Sequence, residues 1–187
     1  MKKLTILAVA LVALGLGTQA QARTGGWTGN ILYALESASS FADTSEVSAK
    51  GYTFWKNGFA DGEIIIIEAA GVATVDASDT VTINVNMGAT AMITSGALTA
   101  FAGPWKLRAV GQVRSVDSVS SGTRTAGTIL WSLEFFLDGS TDVDRMFCDT
   151  TADALQTNIP NQDLTLGITW SASGNTFVIH QMVISAY

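Results

Sequence analysis

Few side chains in this sequence carry reactive chemistry. The chain holds one histidine, His180, and one cysteine, Cys148. A Ser-His-Asp relay needs a base within reach of a nucleophile and a third group to orient the base. His180 lies in an alternating stretch with Val178 and Met182, and no G-x-S-x-G elbow occurs. It reads as a histidine of a sheet, not as a base. Cys148 follows Met146 and Phe147 and reads as a small, buried apolar side chain, the alternative being a disulfide with another copy of the chain. One cysteine excludes an intrachain disulfide framework and any zinc site of several thiolates. One histidine excludes sites that need two or three imidazoles. Neither G-x-x-x-x-G-K-[ST] nor G-x-G-x-x-G occurs, so no phosphate loop is expected. No catalytic residue is assigned, and the chain does not read as an enzyme.

Two candidate ligand sets remain. Asp138, Asp142 and Asp144 lie in a glycine-containing acidic turn, Asp138-Gly139-Ser140-Thr141-Asp142-Val143-Asp144. Carboxylates gathered in this way suit Ca²⁺, a hard cation that takes oxygen ligands, although the spacing is not that of an EF-hand. The plain alternative is a solvated hairpin turn. No other cofactor is expected. Tyr52, Trp55 and Trp105 lie near turns, where an exposed ring can stack on a sugar. They carry the rival functional reading, a secreted carbohydrate-binding module or adhesin whose partners are surface glycans.

Charge and the N-terminus bound the setting. The 187 residues carry 10 basic and 16 acidic side chains, a net charge of −6. That argues against nucleic acid as a partner, which requires a basic face. Met1 to Ala22 reads as a secretory signal: Lys2 and Lys3, an apolar run from Leu4 to Leu16, then Ala20 and Ala22 in A-x-A spacing. The run falls short of the ~20 residues that span a bilayer, so no stable span is expected once it is removed. Residues 23–187 then form one domain of 165 residues, 187 less 22, with 8 basic against 16 acidic side chains. The expected location is outside the cytoplasm: periplasm, medium, or a cell or particle surface.

The elements that must position these residues are strands. Val81, Ile83, Val85 and Met87 alternate with Thr80, Thr82, Asn84 and Asn86, a period of two that no helix segregates. Leu164, Leu166, Ile168 and Trp170 repeat the pattern, as do Ile129, Trp131, Leu133 and Phe135. Ile64 to Ile67 is a continuous β-branched run, which predicts a strand covered on both faces or by a neighbouring subunit. Further strands are expected over Thr28–Glu36, Thr90–Thr94, Trp105–Val116, Asp144–Cys148 and Thr176–Tyr187. Gly, Asp, Asn and Ser turns separate them. Single helical turns are expected within Ser37–Ser48 and Thr151–Gln156. The last strand is apolar on both sides. Strict alternation puts Phe177, Ile179 and Val183 on one side, with Val178, Met182, Ile184 and Ala186 on the other. Trp27, Ile64, Ile66, Phe177, Ile179 and Tyr187 are therefore the candidates for self-association.

The stretch Asp163-Leu164-Thr165-Leu166-Gly167-Ile168-Thr169-Trp170-Ser171-Ala172-Ser173-Gly174-Asn175-Thr176-Phe177 resembles the closing hairpin of jelly-roll virion proteins of tailed bacteriophages. Glu68 to Val72 with Val81 to Met87 is similar to their early meander, and Trp105 to Ala109 with Gly111 to Ser115 to their long middle strand. The likeness covers Ile64 to Tyr187. It implies a tail or head fibre domain or a capsid decoration, non-catalytic and trimeric. A weaker likeness is to chaperone–usher pilins, which carry a glycine about fourteen residues before the C-terminus, where Gly174 stands. The expected fold is all-β, an antiparallel β-sandwich of jelly-roll type with about eight or nine strands. The expected function is that of a non-enzymatic structural protein acting by self-association as a homo-oligomer.

Overall fold

The computed structural model describes residues 30–41, 46–54, 58–99, 101–116, 127–137, 145–149, 153–154 and 162–187. These hold thirteen strands and no helix. They are β1 (Asn30–Ala34), β2 (Ser39–Phe41), β3 (Val47–Phe54), β4 (Ile64–Thr74), β5 (Thr80–Met87), β6 (Thr90–Thr94) and β7 (Leu98–Thr99). Then come β8 (Ala102–Val116), β9 (Gly127–Leu137), β10 (Arg145–Cys148), β11 (Asp153–Ala154), β12 (Gln162–Trp170) and β13 (Thr176–Ala186).

The strands form two antiparallel sheets packed as a sandwich. The larger runs β1-β13-β4-β8-β9-β10, with β2 beside β13 and β11 beside β9. The smaller runs β3-β12-β5-β6, with β7 beside β5. Period-two alternation decides which side chains lie between the sheets. Val81, Ile83, Val85 and Met87 point inward, as do Leu164, Leu166, Ile168, Trp170, Ile129, Trp131, Leu133 and Phe135. An aromatic stack crosses this core: Trp105 lies between Phe177, at 4.3 Å, and Phe135, at 5.9 Å, and Trp170 meets Phe177 edge-on.

Three expectations give way here. Ser37–Ser48 and Thr151–Gln156 hold no helix among their described residues. Instead Ser39–Phe41 pairs with β13, Val47 and Ser48 open β3, and Asp153–Ala154 pairs with β9. The helical reading fails because unpaired strand backbone finds partners only in distant chain segments, which local sequence does not show. The two sides of β13 also differ from strict alternation. A bulge between Ile179 and Gln181 shifts the register. Phe177, Ile179, Met182, Ile184 and Ala186 are all buried inward, while Val178 and Val183 turn outward. One extra residue in a strand exchanges the faces of everything after it.

Candidate functional site

The outward faces of the two sheets differ in chemistry. On the smaller sheet, Thr82 lies opposite Thr169, Asn86 opposite Thr165, and Asp163 opposite Thr53. Asn84 and Ser48 flank Gly167 on either side. The Glu46 carboxylate lies over Gly167 and accepts from Asn84 Nδ2 at 3.0 Å and from Asn86 Nδ2 at 2.5 Å. Asp163 accepts from the Thr53 hydroxyl. This face is hydroxyl, amide and carboxylate, the ordinary covering of a sheet that meets water.

The larger sheet is different. Side chains directly opposite one another share a face, so the pairings define rows across the strands. One row runs Ile31, Ser185, Ile66, Val110, Ser132, Cys148 from β1 to β10. The next runs Val183, Glu68, Arg108, Glu134, Met146. Tyr187 exchanges backbone hydrogen bonds with Ile64, which places it beside Gln112 and Leu130 on the same face. Val178, Val72 and Pro104 form a further row. The described exposed large hydrophobics are Ile31 (69%), Tyr187 (58%), Met146 (59%) and Val72 (42%), and all four stand on this one face. Its charged side chains include Arg108, 4.0 Å from Glu68 and 3.9 Å from Glu134, all partly in water, and exposed Lys106 one row along. Such pairs contribute little to folding.

A comparison of the chain with protein-family models, curated proteins and solved structures finds no match.

The residues singled out from sequence fall in three places. Ile64 and Ile66 are half-buried on the outward face of the larger sheet, and Tyr187 is exposed beside them. Phe177 and Ile179 are not on that face: both are buried between the sheets, so neither is available to a partner, and the self-association set is corrected by their removal. Trp27 lies outside the described residues. Of the sugar-platform candidates, Trp105 is 1% exposed and stacked on both sides, so it offers no face to a ligand. Tyr52 is half-buried with its ring edge-on to Phe54 at 4.8 Å, and Trp55 lies outside the described residues. Asp138, Asp142 and Asp144 also lie outside them. Among the described residues no group of three or more His, Cys, Asp or Glu stands together as a metal site.

Two further placements correct the sequence reading. Cys148 is exposed, because it sits on the four-residue edge strand β10 and turns outward opposite Ser132. His180 is exposed at the bulge and does not share a face with Met182. Ile31, Val72 and Met146 were the members of the apolar face that sequence reasoning missed. The signal was the outward position in each strand. It becomes readable only once the partners of β1, β4 and β10 are known.

Proposed function

We propose that the chain is a non-enzymatic structural protein that works by self-association, built on a jelly roll and carried out of the cytoplasm by its N-terminal signal. One observation carries the assembly reading: the described exposed large hydrophobics gather on a single sheet face while the opposite sheet wears a polar coat. Exposed apolar side chains confined to one sheet face, with half-buried Ile64, Ile66 and Val110 among them, suit a contact surface.

The jelly-roll assignment is supported by pairing order. Eight strands, β1, β3, β4, β5, β6, β8, β12 and β13, behave as one long hairpin folded over. The first pairs the last (β1 with β13), the second the seventh (β3 with β12), the third the sixth (β4 with β8), and the fourth the fifth (β5 with β6). Rolling such a hairpin into two sheets produces the double Greek key. The β9–β10 pair extends the larger sheet beyond β8.

Light scattering on the protein purified from the cells that make it tests the function. A stable oligomer without added ligand is expected. A strict monomer across the accessible concentration range overturns the reading, and a monomer that captures a glycan favours the carbohydrate-binding rival.

A further inference from the structure

We infer that the outward face of the larger sheet docks against the same face of a second copy of this chain, with the Glu68–Arg108–Glu134 row setting the register. The inference rests on the self-association reading and adds the surface, the partner and the alignment.

The area is sufficient. The six strands of the main path present residues at ~3.4 Å rise and ~4.8 Å spacing, which makes roughly 900 Å² of sheet surface. A stable protein–protein interface takes about 800 Å² from each partner. The face is apolar at its margins, through Ile31, Val72 and Met146. Along its middle, Ile66 and Val110 lie directly opposite each other.

The charges favour this chain as its own partner. Acid, base and acid stand on three adjacent strands, with Arg108 between the two glutamates. Such a row is complementary to itself. Displaced by one strand about a two-fold axis, Arg108 of one copy meets Glu68 of the other, and the same pair repeats across the axis. An unrelated acidic or basic partner would satisfy one sign of the row and oppose the other. Within one chain the ion pairs are long and wet; drying them between two apolar margins strengthens them and penalises alignments that set like charges against each other.

The test uses the purified full chain. In the first variant, Ile31→Glu, Val72→Glu and Met146→Glu are combined. All three positions are exposed, so the fold is not at stake, and urea unfolding checks that. The second is Arg108→Glu, and the third joins it to Glu68→Arg. Thr165→Arg, on the polar face of the smaller sheet, is the control. Each is weighed by light scattering against dilution. The triple variant and Arg108→Glu are expected to raise the dissociation constant at least ~10-fold, the charge exchange to restore association, and the control to leave it unchanged. A parent oligomer whose mass survives the triple substitution overturns this interface while leaving self-association standing. A parent monomer overturns both.

Discussion

Gly111 and Trp131 face each other across β8 and β9, and the indole occupies the space where any side chain at position 111 would begin. A Cβ at Gly111 would stand 2.7 Å from ring atoms Cε2 and Cζ2. The ring cannot swing aside, because Trp131 is buried among the inward residues of both sheets. Gly111→Ala is therefore expected to destabilise the fold by about 1–3 kcal/mol, the usual range for overpacking a filled core. Gly71 is the stricter case. Its Cβ would fall 1.8 Å from the carbonyl oxygen of Val178 on the next strand, which is backbone and cannot rotate away. Urea unfolding of the two variants should rank Gly71→Ala as the more damaging. The reverse order would mean that β4 and β13 separate more easily than the core ring moves.

Alternation along the sequence marks inside and outside wherever two strands pair in unbroken register. Val81 to Met87 pair with β12, and Ile129 to Phe135 with β8, without a shift along their inward residues, so a period of two reads directly as inside and outside. β3 was hidden by a bulge. Leu164 lies opposite Tyr52 but Leu166 opposite Ala49, so the inward positions of β3 step by three at Lys50 and Gly51. A strand interrupted in this way looks neither alternating nor helical. The same device in β13 reversed the faces of its second half and moved Met182 and Ile184 into the core. The apolar face was half legible. The unbroken run Ile64–Ile67 announced a strand with two apolar sides. That Ile31, Val72 and Met146 complete the same surface depends on the order β1-β13-β4-β8-β9-β10, which is set by pairings between residues far apart in the chain.

Glu46 binds the outer surface of the smaller sheet together. Its carboxylate takes one amide from Asn84 and one from Asn86, and both asparagines are buried beneath it. Gly167 provides the room: a Cβ there would lie 2.3 Å from Glu46 Oε1 and 2.5 Å from Asn86 Nδ2. Glu46→Ala leaves two covered donors without this acceptor and is expected to cost about 1–3 kcal/mol. Gly167→Ala displaces flexible side-chain ends and not backbone, so about 1 kcal/mol is expected, through the same lost hydrogen bonds. Because the two substitutions act on one network, the pair should cost less than their sum in a double-mutant cycle followed by urea. Strict additivity would show that the carboxylate does not hold the amides in solution.

Asn175 ties the turn before β13 to the turn before β5, and its side chain is almost wholly buried. Its Oδ1 accepts from the Asp76 amide at 2.9 Å. Its Nδ2 donates to Asp79 Oδ2 at 2.8 Å and to the Ala172 carbonyl at 3.1 Å. Asn175→Ala removes all three bonds and is expected to destabilise by about 2–3 kcal/mol. Asn175→Asp retains the acceptor for Asp76 but places a second carboxylate against Asp79. Like charge raises the folded-state pKa of the introduced carboxyl above the unfolded value of ~3.9. The sign follows from linkage: the penalty is absent below the unfolded pKa and grows as pH rises through the folded one. The stability deficit of Asn175→Asp against the parent should thus be largest at neutral pH and shrink as pH falls toward about 4, more steeply than that of Asn175→Ala, which adds no carboxylate. Urea midpoints measured across that interval separate the two. A deficit for Asn175→Asp that does not change with pH would mean that the new carboxylate turns away from Asp79, and that the two turns are joined chiefly through the Asp76 amide.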